Sequence, residues 1–135
     1  MANGRFAQEY RKGAVNGASP LQLVVMLYDG SLRFMEVGKD AMEHKDLVRQ
    51  NTSLQKAQRI ITELMACLDM QQGGDIAKNL LSIYSYVLNE LVTANMADDP
   101  SAIERCMKIM SGLRESWVQI ERSTREQNIG APLAA

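Results

Sequence analysis

Few side chains in this chain could carry chemistry, and their spacing decides what they can do. The single histidine, His44, stands beside Glu43 in a polar connection. A di-iron site in a helical bundle needs Glu-x-x-His pairs on inward faces, and that spacing does not occur here. Cys67 and Cys106 fall inside helical apolar patterns. They read as small buried hydrophobes of a reducing compartment, not as a disulfide pair. Two such cysteines cannot complete a zinc set. Gly73-Gly74 is an isolated pair between helical stretches, not a phosphate loop. Ser19 is explained by helix capping, and Tyr84 and Tyr86 by packing with a polar handle. No base is spaced to activate a nucleophile. The residues therefore assign no catalytic, cofactor-binding or metal site, and the chain reads as a non-enzyme.

What remains is a set of helices and their apolar faces. Ser19 is an N-cap, Pro20 fits the first helical position, and Gln22 completes a capping box. The first helix runs from about Pro20 to Met42. Leu21, Val24, Tyr28, Met35 and Met42 form its seam, with Ser31 and Gly38 as small members, and Leu27 and Phe34 form a second stripe. Asp46 caps a second helix to about Leu68, with Leu47, Leu54, Ala57, Ile61, Leu64 and Leu68 at alternating three and four spacing. Ile60 and Cys67 widen that face, while Gln50 and Ser53 are expected to face water. Gly73-Gly74 breaks the chain, and Gly74 or Asp75 caps a third helix. Its seam is Ala77, Leu80, Tyr84, Val87, Leu91 and Ala94. Leu81, Leu88 and Val92 form a second stripe, and Ile76 and Ile83 a third. Asp99-Pro100 starts a fourth helix with Ile103, Cys106, Met110, Leu113, Trp117 and Ile120 in its seam and Met107 beside it.

The fold class is all-α: an antiparallel four-helix bundle over 19–122, whose short connections force neighbours to run antiparallel. Residues 1–18 form an N-terminal arm with Phe6 and Tyr10 as isolated aromatics, and 123–135 loses the period and reads as a loose tail. A net charge of −1 gives no basic footprint for nucleic acid. No stretch is long and apolar enough to span a bilayer, so the expected location is the cytosol. Nine methionines against 5% aromatics hint at adaptable peptide binding.

Four blocks carry a resemblance. Ala18-Ser-Pro-Leu-Gln-Leu-Val-Val-Met-Leu-Tyr-Asp-Gly30 is the first, and Gly73-Gly-Asp-Ile-Ala-Lys-Asn-Leu80 the second. Tyr84-Ser-Tyr86, leading into Leu91 and Ala94-Asn95, is the third, and Trp117 the fourth. In order and spacing they resemble the flagellar secretion chaperones that guard flagellin, the FliS family. The likeness covers about Tyr10 to Ile120. Ser85 stands where that family usually has Asp between the two tyrosines.

The resemblance implies a cytosolic chaperone that binds the C-terminal segment of flagellin and stops it polymerising. It also implies presentation of that segment to the flagellar type III export gate. The arm around Tyr10 would cover part of the same apolar surface. On the residues alone, the stripes a core seam does not need are the contact candidates: Leu27, Phe34, Ile60, Leu81, Leu88 and Met107, with Tyr10 from the arm. The alternative is a bundle whose spare face serves self-association. The expected state is a monomer or weak homodimer.

Overall fold

The chain enters its first helix through the capping box that Ser19 and Gln22 spell out. The Gln22 amide donates to Ser19 Oγ at 3.1 Å, and the Ser19 amide donates to Gln22 Oε1 at 2.8 Å. The computed structural model describes residues 19–134, with side chains through residue 127. Four helices follow: α1 (Pro20–Glu43), α2 (Leu47–Ala66), α3 (Gly74–Ala97) and α4 (Pro100–Ala134). Among the described residues α1 packs on α2 and α4, and α3 on the same two, while the backbones of diagonal helices stay apart. The result is an all-α antiparallel four-helix ring around one core.

Caps fix where each helix begins. Asp46 Oδ1 accepts from the Arg49 amide at 3.2 Å, as its position implies. Asp99 Oδ1 accepts from both the amide and the hydroxyl of Ser101, which holds the Asp99 carboxyl below its ordinary range. The start of α3 differs from the expectation. Gly73 is its N-cap without a side-chain bond, and Gly74 is the first helical residue with φ +54°, a left-handed backbone that suits glycine.

The α3 seam is built as its spacing dictates: Ala77, Leu80, Tyr84, Val87, Leu91 and Ala94 are its buried residues. At the centre, three aromatics share one polar cluster. Tyr28 of α1 and Tyr84 of α3 are fully buried, and their hydroxyls hydrogen-bond across the ring. Trp117 of α4 donates from Nε1 to the Tyr28 hydroxyl at 3.1 Å. Trp117 is half-buried, so it closes the core from one side instead of sitting inside it. The α4 seam fades in the same direction: Ile103, Cys106 and Met110 are buried, Leu113 is partly covered and Ile120 is exposed.

Three expectations for α2 and its end are corrected. Gln50 and Ser53 do not face water; both are buried. Gln50 Nε2 donates to Asp98 Oδ1 at 2.8 Å and to Asn95 Oδ1 at 3.0 Å, tying α2 to the end of α3. Asp98 needs the anchor, because it is a non-glycine residue in the left-handed region, with φ 51°. Leu47 is 65% exposed, because it starts α2 at the rim of the bundle, where no helix covers it. Cys67 is exposed, while Cys106 is buried and its thiol is pushed up to about 12, chiefly by that burial.

Beyond residue 123, where the sequence loses its apolar period, the backbone stays helical. The helix persists to Ala134. Ser-Thr-Arg-Glu-Gln over 123–127 contains no helix breaker, and Arg125 pairs with Glu121 one turn back. Gln22 lies beside Glu121, so the end of α4 continues past the start of α1.

Candidate partner-binding groove

The sequence-derived contact candidates scatter around the bundle. Leu27 and Ile60 are core residues at 3% and 1% exposure, and neither offers surface unless the bundle opens. Phe34 is partly buried, and its ring is occupied by the cations of Arg33 and Lys56, 5.0 Å and 5.4 Å from its centroid. Leu81 and Leu88 are partly buried. They lie two heptads and one heptad before Asn95, which meets Gln50, and so they belong to the flank of α3 that faces α2. Met107 sits one turn after Glu104, which pairs with Lys39, and one heptad before Arg114, which pairs with Asp29. Met107 therefore lies on the flank of α4 that faces α1. Tyr10 lies outside the described residues.

None of these six described candidates lines the apolar depression that the bundle leaves open on its surface. That depression is a groove of about 820 Å³ between α3 and α4. Ser82, Ile83 and Tyr86 form one wall; Arg105, Lys108, Ile109, Gly112 and Leu113 form the other. The pair α3 and α4 is the least closely packed of the four neighbouring pairs. Ile83, Ile109 and Leu113 pack their inner faces on the core and leave their outer faces to the groove. Tyr86 is 48% exposed, and Ile76, one heptad before Ile83, is 72% exposed. The sequence signal for this site was the Ile76–Ile83 stripe. A helix covered by two neighbours has no use for a third apolar stripe unless something else covers it.

The electrostatics of the groove are one-sided. Its lining holds two cations, Arg105 and Lys108, and no carboxylate. Glu90 of α3 holds Arg105 at 3.2 Å. Lys108 has no ion-pair partner among the described residues. The walls are helical, so their backbone N–H and C=O groups are already paired within each helix. Such a groove offers apolar contact and positive charge, not backbone hydrogen bonds. Among the described residues no group of His, Cys, Asp and Glu is placed to hold a metal ion.

A second depression, of about 560 Å³, lies between the start of α2 and the end of α3. Leu47, Val48 and Met96 rim it, and the Gln50, Asn51, Asn95 and Asp98 network forms its floor. The hydrogen bonds of that floor are made within the bundle, which gives the depression a structural explanation.

Comparison with known proteins shows which family the chain belongs to. The family described as flagellar protein FliS matches residues 1–124. The flagellar secretion chaperone FliS of Salmonella typhimurium is 39% identical over 116 residues, covering 85% of this chain and 86% of the relative. Its counterpart in Vibrio cholerae is 36% identical over 117 residues, 84% of this chain and 86% of the relative. That of Bacillus subtilis is 32% identical over 122 residues, 90% of each. The family match spans all four helix starts and both walls of the groove, and on it and these relatives the chain belongs to the FliS family of flagellar secretion chaperones.

Proposed function

We propose that this protein is a flagellar export chaperone whose client is flagellin, held by its C-terminal segment. The observation that carries the reading is the α3–α4 groove, an apolar surface left open in a bundle of this family. A C-terminal segment that is unfolded before assembly exposes the apolar face it will later bury. Covering that face keeps the subunit from polymerising early. Release then occurs at the flagellar export apparatus. The chaperone acts in the cytosol, and no helix among the described residues is long and apolar enough to cross a membrane.

Ile83, Tyr86, Ile109 and Leu113 are the contact residues in this reading. Leu81, Leu88 and Met107, on the neighbouring flanks, extend the surface for a segment that wraps past the groove. A disordered segment that folds on the bundle loses conformational entropy on binding, offset by the apolar area it buries. Binding therefore carries a large negative heat-capacity change and a gain of helix.

The test is a mass measurement by light scattering on mixtures with the cognate flagellin, intact and lacking its C-terminal segment. Intact flagellin should form a one-to-one complex and the truncated form none. Equal binding of both forms would place the contact elsewhere on flagellin. If the bundle instead assembles only with itself, the mass would rise without flagellin.

A further inference from the structure

Gly112 stands in the interior of α4, where glycine costs helix stability relative to alanine. Gly38, in the interior of α1, has a reason inside the fold: a Cβ there would come within 2.6 Å of Leu54 Cδ2, so two backbones cross closely. At Gly112 a Cβ would meet nothing within 4 Å. No contact of the bundle requires the glycine, and it lines the open groove.

The groove walls narrow the choice of occupant. An extended segment lying against them would leave its own N–H and C=O groups facing apolar side chains, with no wall backbone free to pair them. A helix satisfies its own backbone and presents side chains only. The lining holds cations and no carboxylate, and Lys108 lies one turn before Gly112. Side chains three or four residues apart on a facing helix span the same distance.

We infer that the groove's occupant is an amphipathic helix with a bulky apolar side chain seated over Gly112 and a carboxylate, three or four residues away, against the Lys108 ammonium. Gly112 and Lys108 then set specificity: the first by leaving room, the second by selecting charge. This rests on the groove being the client site. It adds which residues read the client and what they read.

The experiment titrates Gly112→Ala, Gly112→Leu, Lys108→Glu and Lys108→Arg calorimetrically with the cognate flagellin, alongside thermal melts. Gly112→Ala should raise the melting temperature by about 3–5 °C, because it gains helix propensity and its methyl meets nothing. It should also weaken binding about tenfold, because that methyl takes up the client's space. Gly112→Leu should weaken binding further. Lys108→Glu should cost about tenfold and flatten the salt dependence, while Lys108→Arg binds like the parent. A purely structural glycine would not give a variant that is more stable and binds worse. Parent-like binding by Gly112→Leu or by Lys108→Glu would overturn the inference. Ile83→Asp separates the two levels. If Ile83→Asp binds like the parent, the groove reading itself fails. If it abolishes binding while the Gly112 and Lys108 variants bind like the parent, only the present inference fails.

Discussion

The Tyr28 hydroxyl joins three helices in the core. It accepts from Trp117 and shares a hydrogen bond with Tyr84, so three helices meet at one oxygen. Tyr28→Phe strands two partners and should cost about 1–3 kcal/mol, whereas Tyr84→Phe leaves the Trp117 bond intact and should cost about 1 kcal/mol. Urea unfolding of both variants checks the order, and a larger loss in Tyr84→Phe would contradict it. The same pair predicts a pH response. Burial raises both phenols above their ordinary value, and for Tyr84 the bond to Tyr28 raises it further. The folded state therefore keeps protons that the unfolded state gives up. Stability is full below the unfolded phenol value of about 10 and falls as pH rises beyond it. The urea midpoint of the parent should drop above about pH 10, and less so in the Tyr28→Phe/Tyr84→Phe double variant. An identical alkaline drop in both would assign the effect to other groups.

Helices differ in how far their sequence betrays their packing. The α3 seam from Ala77 to Ala94 was legible in full, because each of its buried positions is apolar and the spacing never breaks. On α2 the same reasoning went wrong at Gln50 and Ser53. Periodicity treats a polar residue as solvated, whereas Gln50 is buried against polar atoms of α3 that lie 45 and 48 positions away in the chain. Pairing at that separation leaves no local trace. Gln50→Ala should therefore cost about 1–3 kcal/mol despite removing a polar side chain, since Asn95 and Asp98 lose their donor. A near-neutral unfolding midpoint would show that water replaces it. Leu47 failed in the opposite sense, since a seam residue needs a neighbouring helix and α2 begins at the rim. The close crossing at Gly38 gives a further check. Leu54 is fully buried and has little room to move, so Gly38→Ala should destabilise by about 1–3 kcal/mol, measured by thermal melt.

For the whole molecule, the ring of four helices followed from their lengths, caps and short connections, but the position of the open groove did not. Sequence shows how many apolar stripes a helix carries. It does not show which stripe its neighbours leave uncovered. On α3 the Leu81–Leu88 stripe turned out to flank α2, and Ile83 of the Ile76–Ile83 stripe to line the groove. Handedness of the ring decides between the two, and it is set by packing across all four helices. Family membership rests on blocks spread along the chain, which is why it was readable where the contact surface was not.

We propose that flagellin's C-terminal segment lies between α3 and α4. Photo-cross-linking tests it most directly, with benzoylphenylalanine placed at Tyr86 in the groove and, separately, at Val48 on the α2 rim. Both positions are exposed, Tyr86 in the α3–α4 groove and Val48 at the depression between α2 and α3. A cross-link is expected from position 86 to the C-terminal segment of flagellin and none from position 48. A cross-link from position 48 with none from 86 would contradict it.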